Sequence, residues 1–245
     1  RRPVADIVRG IDAADGADVG LCATVVCKDA DPCTLDQCDP KTAKCEHIPA
    51  ADGSQCGQGL ACSAGLCGPV GMRLVPAGKF WQGCNEVAEG KVTCQWDEYP
   101  QHEVFVGGFW FDVYTVSVSQ YAECVAAAVC AKPKWLHGVA EEHAELYNWG
   151  AKGRDKHPIN GVTWYQAKTY CAWRHKGGRL ATESEWEKTA RGGCDVNNGA
   201  NCKAAMRAYP WGNAKPTCTH AVVSNDGQAR QTDFGCGKGT TWPVG

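Results

Sequence analysis

Cysteine is the residue type with the most chemistry to offer here, since the 245 residues contain 17 of them. Zinc ribbons, redox dithiols and covalent haem sites use two cysteines three positions apart, and no Cys-x-x-Cys occurs in the chain. The chemistry that remains is the disulfide, and usage this dense belongs to an oxidising compartment: periplasm, cell surface or outside the cell. Nine cysteines fall in residues 70–245, an odd number. Local spacing pairs Cys84 with Cys94, Cys124 with Cys130, Cys194 with Cys202, and Cys218 with Cys236, each bracketing a short loop. Cys171 is left over, which makes it a free thiol, an intermolecular bridge or a residue whose partner lies elsewhere.

Other constellations are weaker. In HGVAEEH, His137 and Glu141 share a helical face, but Glu142 and His143 do not complete a His-Glu-x-x-His zinc motif, and a solvated surface helix is the better reading. Of the ten tryptophans, most read as core in a domain short of aliphatics. Trp135 and Trp149, in the stretch 131–156, are the candidates for a ligand surface that works by stacking. No Gly-rich phosphate loop and no Ser-His-Asp set can be picked out. A net charge of −2 gives no basic field for nucleic acid or anionic membrane. No apolar run approaches the ~20 residues of a membrane span. The chain opens RRPVADIVRG without Met, so a leader is expected to have been removed or to lie outside this sequence.

These residues need elements to hold them. Residues 1–20 read as an arm or linker, and 21–69 as a small module whose eight cysteines replace a core it lacks the apolar residues to build. Cys27-x5-Cys33-x4-Cys38 returns as Cys56-x5-Cys62-x4-Cys67, displaced by 29 residues, which suggests two related stapled loops. Eight cysteines allow about 105 pairings, and the sequence does not choose among them. The stretch DPCTLDQCDPKTAKCEH (31–47) resembles short Cys-rich repeats of slime-mould and myxobacterial surface proteins. That resemblance implies an extracellular spacer or adhesive module. Asp29, Asp31, Asp36 and Asp39 suit calcium as hard oxygen ligands, although Asp-Pro and Asp-x-x-Cys are also turn chemistry.

Residues 70–245 read as a larger, loop-rich α+β domain. MRLVPAGKFWQG (72–83) is a strand broken by a Pro-Ala-Gly turn, and EVFVGGFWFDVY (103–114) is two short strands joined at Gly107-Gly108. Three capping boxes start helices: Ser117-x-x-Gln120, Thr163-x-x-Gln166 and Thr182-x-x-Glu185. In the second helix, Trp164, Ala167 and Cys171 are expected to form the buried stripe, with a left-handed end at Lys176-Gly177-Gly178. Regular structure is expected to fade after residue 192.

VPAGKFWQG (75–83), EYPQHEVFVGGFWFDVYTVSVSQY (98–121), HPINGVTWYQAKTYCAW (157–173), RLATESEWEKTARGG (179–193), YPWGN (209–213) and WPVG (242–245) occur in an order that resembles the formylglycine-generating enzyme family, or sulfatase-modifying factors. The resemblance implies an irregular α+β fold related to C-type lectins. It also implies a copper-binding redox cysteine pair after an Arg-Gly-Gly-Ser block, beyond Gly245, so the domain is expected to lack its C-terminal part. No catalytic residue carries over onto the present positions. In the family, the cysteine at the position of Cys171 bridges to that C-terminal part. The resemblance places a calcium-binding loop at VVSNDGQARQTD (222–233), with Asn225, Asp226 and Asp233 as oxygen ligands, although Asn-Asp-Gly is also an ordinary turn.

The expectation is an extracellular, cell-surface or periplasmic binding or structural module, non-catalytic over these residues, with a protein or glycan partner or a place in a larger assembly. Its recognition loops are expected at 84–97, 131–156 and 195–240. The rival expectation is an oxidase that converts a sulfatase cysteine to formylglycine with copper, using a cysteine pair outside the sequence.

Overall fold

Sulfur takes the place of a core in the N-terminal part of the chain. The computed structural model describes residues 21–84, 94–133, 146–175, 177–223 and 235–245, and the chain divides into two compact units between Cys67 and Gly68. In the first unit, β1 (Thr34–Cys38) and β2 (Cys45–Pro49) form an antiparallel hairpin in which Asp36 faces His47 and Cys38 faces Cys45. The Asp39 carboxylate shapes its turn by accepting from the Lys41 N–H and the Thr42 hydroxyl. β3 (Gln55–Gly57), β4 (Leu60–Ser63) and β5 (Leu66–Pro69) follow as a three-stranded sheet. The residues at its centre are Cys33, Cys62 and Ala50, flanked by Cys56 and Cys67. The larger apolar side chains of this unit, such as Val26 (86% exposed) and Leu35 (60%), lie outside.

The disulfides of this unit are Cys22–Cys38, Cys27–Cys45, Cys33–Cys62 and Cys56–Cys67. The two spacing-matched triplets are therefore not closed alike. Their middle cysteines, Cys33 and Cys62, bridge to each other, while Cys27 and Cys38 pair outside their triplet. Each bridge restricts the unfolded chain by about 3 kcal/mol in the loop-entropy account, which is how so few buried atoms can hold a fold.

The second unit is built on a long two-stranded ribbon. β6 (Met72–Val75) pairs with β9 (Phe109–Asp112), and β7 (Gly78–Gln82) pairs with β8 (His102–Val106). Pro76-Ala77 interrupts one side and Gly107-Gly108 the other, the two breaks expected from the sequence, and the register sets them at the same level. Three helices follow: α1 (Val118–Ala126), α2 (Trp164–Arg174) and α3 (Glu183–Arg191), with a single turn α4 (Cys202–Ala205) after them. All three predicted capping boxes are present, with both reciprocal hydrogen bonds in each. The result is a mixed α and β, loop-rich, disulfide-rich domain, the class expected.

Two clusters form its interior. Phe80, Val106, Cys202 and Met206 pack under the ribbon. Tyr121, Tyr170 and the Cys124–Cys130 bridge pack between α1 and α2. The fully buried Asn148 ties distant loops together by donating to the Pro158 carbonyl and the Thr241 hydroxyl. Among the described residues, no helix is long and apolar enough to cross a membrane.

Two local expectations are corrected. The buried residue of α2 is Tyr170, not Trp164, which is 59% exposed. Trp164 is the first helical residue after the Thr163 cap, and its ring meets Tyr165 edge-to-face at 5.2 Å with the Lys168 ammonium over it. The helix also ends sooner, at Arg174, with an extended His175 after it and the left-handed residue at Gly177 (φ +79°). Gly178 then turns back onto the helix end: its N–H donates to the His175 carbonyl, and a Cβ there would overlap the Cys171 carbonyl oxygen.

Candidate functional site: an aromatic groove over Cys171

α3 is turned inside out relative to ordinary amphipathic patterning. Its buried residues are Glu185, Lys188 and Arg191, while Trp186 is 62% exposed. The charged side chains are buried because α3 docks on backbone carbonyls. The Lys188 ammonium donates to the Pro76 and Gly78 carbonyls at the ribbon break. Arg191 donates to the Gly83 and Arg207 carbonyls and pairs with Glu187. Burial holds the Lys188 pKa below the usual lysine value. Arg179 places two contacts of 2.6 and 2.7 Å on the Glu185 carboxylate. That guanidinium, helped by the Thr182 N–H, brings Glu185 down to about 2.

With the polar side turned inward, the aromatic side faces a groove of about 780 Å³ between β9, α2 and the start of α3. Trp110, Phe111, Tyr114, Trp164 and Trp186 are among the side chains that line it. Tyr114, Trp164 and Trp186 are each about three-fifths exposed, at 61%, 59% and 62%. Large aromatic side chains left this wet make the groove a candidate surface for contact with another segment.

Cys171 lines the same groove. It is half-buried and is the one free cysteine of the chain. The other sixteen are closed in eight bridges, including the four expected from local spacing. Burial first, and then the nearby Asp112 carboxylate, push the Cys171 thiol up from its ordinary pKa. His175, one helical turn on, faces Asp112 at 3.5 Å. The group is therefore a neutral thiol at neutral pH and a poor nucleophile. What the groove offers chemically is apolar and stacking contact around a protonated thiol, with Asp112, Arg174, Arg179 and Glu185 also in its lining.

Of the residues singled out from the sequence, Asn225, Asp226, Asp233 and Trp135 lie outside the described residues, as does the His137, Glu141, Glu142, His143 cluster. Trp149 is half-buried and packs edge-to-face on Tyr121 at 5.9 Å, at the margin of the α1–α2 cluster. Among the described residues, none that lines the groove belongs to the three loops expected to carry recognition. By residue type alone its tryptophans read as core, in a domain short of aliphatics. The signal that separates them is the charged face of α3, where Glu185 and Lys188 at i, i+3 leave Trp186 no inward direction.

The family model for the sulfatase-modifying factor enzyme 1-like domain matches residues 68–245. The mouse formylglycine-generating enzyme is 30% identical over 171 residues, which cover 57% of this chain and 42% of that protein. The serine/threonine-protein kinase pkn1 of Chlamydia caviae is 32% identical over 128 residues, covering 50% of this chain and 19% of that protein. The chain thus spans between a fifth and two-fifths of these relatives' lengths. Among solved structures, PvdO from Pseudomonas aeruginosa aligns with a TM-score of 0.42 and 24% identity, over 64% of this chain and 59% of PvdO. The family model covers nearly three-quarters of the chain, and the chain belongs to the sulfatase-modifying factor enzyme 1-like domain family.

Proposed function

We propose that this protein is an extracellular, cell-surface or periplasmic binding module, and that the groove over Cys171 takes up a polypeptide segment carrying aromatic or aliphatic side chains. The observation that carries the reading is that Tyr114, Trp164 and Trp186, each about three-fifths exposed, line one groove together with Trp110 and Phe111. The family's name describes a factor that modifies sulfatases, which are proteins, and a polypeptide partner follows from that precedent. The eight disulfides support an oxidising location. Relatives named for a kinase and for a formylglycine-generating enzyme share this domain, so the scaffold does not fix one activity.

The mouse relative favours a second reading, a copper-dependent formylglycine-generating oxidase. Residues 1–245 do not fit copper in that role. A soft Cu(I) site needs thiolates, and this sequence offers one thiol, protonated at neutral pH and lying among aromatic side chains. No step is derived through that metal.

The test is a selection of displayed random peptides on the oxidised protein. Binders are expected to be rich in aromatic and aliphatic residues and to lose at least ~10-fold in affinity on Trp186→Ala or Trp164→Ala, the scale of a hot-spot aromatic. Thermal stability should be little changed, since both side chains are largely exposed. Binders indifferent to both substitutions would place recognition elsewhere and overturn the groove.

A further inference from the structure

In the first unit, the four aspartates that suit calcium by sequence do not converge. Asp39 is spent on its own turn, and the Asp31 carboxylate accepts from the Cys33 N–H. Asp29 and Asp36 share a different partner: the His47 Nδ1 lies 2.7 Å from Asp36 Oδ1 and 3.2 Å from Asp29 Oδ2. The arrangement is built in. Asp36 and His47 are opposite each other in the β1–β2 register, so they share a face with Thr34 two residues away. Asp29 arrives on the loop between Cys27 and Cys33, both of which are bridged, to Cys45 and Cys62. The Asp29 N–H donates back to Asp36 Oδ2 and closes the loop onto the strand.

The set is short of protons. The single hydroxyl of Thr34 lies between 2.9 and 3.4 Å from four acceptors: both Asp29 oxygens, Asp36 Oδ1 and the Asp31 carbonyl. One hydrogen cannot serve four oxygens. Two carboxylates also face one imidazole, so the cluster carries excess negative charge whichever state His47 takes. The other cysteine and carboxylate groupings with ligand spacing involve disulfide sulfur and are closed to a metal, which leaves this one among the described residues.

We propose that Asp29, Asp36 and His47 bind a divalent transition metal, with Zn²⁺ as the best match. An imidazole nitrogen disfavours calcium, which takes oxygen ligands, and a mixed nitrogen and carboxylate set with an open fourth position suits zinc. The ion takes the Nδ1 lone pair and one oxygen from each aspartate, and the Nδ1 proton, where present, leaves to solvent. The three donor atoms already lie within 4.8 Å of one another, close to the ~3–4 Å separations around one zinc ion. The metal would clamp loop 28–32 to the hairpin, a fifth staple after the four bridges, and one that can be removed without reduction.

The experiment is isothermal titration of the tag-free, fully oxidised chain with Zn²⁺ alone, repeated with Co²⁺ for its visible absorption. One ion per chain is expected, with His47→Gln and Asp36→Asn each weakening binding at least ~10-fold. Asp39→Asn, on the neighbouring turn, should leave affinity unchanged. Asp36→Asn is nearly isosteric within a disulfide-held hairpin, and its hydrogen-exchange pattern without metal shows whether the fold is kept. Absence of Zn²⁺ binding, or binding that survives both His47→Gln and Asp36→Asn, would overturn the site. Tight Ca²⁺ binding unaffected by His47→Gln would overturn its imidazole-centred chemistry.

Discussion

The two units of this chain bury different things. Residues 21–67 bury sulfur: Cys33 is fully inside and Cys62 almost so, while Val26 and Leu35 are in water. Residues 68–245 bury Phe80, Met206, Tyr121 and Tyr170, and use bridges to close loops around them. One unit is held by restricting its unfolded state, the other by removing apolar surface from water. A unit of the first kind can spend its surface on turns and charged side chains. A unit of the second kind can spare aromatics for a groove only if something else fills their place, and in α3 that is buried charge paired with backbone carbonyls.

Reduction is the harshest way to break this comparison. Cys33→Ser with Cys62→Ser is expected to unfold residues 21–67, at a cost of about 2–5 kcal/mol against a core of almost nothing, while 68–245 stays folded. Hydrogen exchange read by segment checks it, and protection persisting in 34–49 would show that the hairpin carries more stability than its sulfur core implies. Phe80→Ala should do the converse. It is expected to lower the stability of the larger unit by about 3–5 kcal/mol and leave exchange in 21–67 unchanged.

A smaller effect follows from the charged side of α3. Glu185 is held at about 2 by Arg179, below its ordinary value. A group lowered on folding adds stability that is full above its unfolded pKa and is lost as pH falls toward the folded one. The larger unit should therefore lose stability between about pH 4.5 and pH 2. In Glu185→Gln that acid limb should flatten in urea melts taken across the range. An unchanged acid limb would mean that other carboxylates carry it.

Much of the larger unit was legible in the sequence because its signals are local. Capping boxes at Ser117, Thr163 and Thr182 use residues three apart, and the break at Pro76 and Gly107-Gly108 is written in residue type. The four bridges of 70–245 span ten residues or fewer in three cases, and the fourth, Cys218–Cys236, spans 18. The first unit's pairing was not legible, because Cys33–Cys62 joins the turn before β1 to β4, and these meet only in three dimensions. The Asp36–His47 pair was missed for the same reason, since it depends on hairpin register. The groove was not legible because a tryptophan in a domain short of aliphatics reads as core. Trp164 next to its cap and Trp186 beside two buried charges are told apart only by what α2 and α3 pack on.

The central claim is that the groove over Cys171 is a recognition surface on an otherwise closed sulfur framework. The direct measurement is the alkylation rate of the native, unreduced protein, mapped to residues, with and without a saturating selected peptide. The account predicts one modified cysteine, Cys171, and a rate that falls sharply when the peptide is bound. Label on any other cysteine, a Cys171 bridged within residues 1–245, or a rate the bound peptide does not change would contradict it.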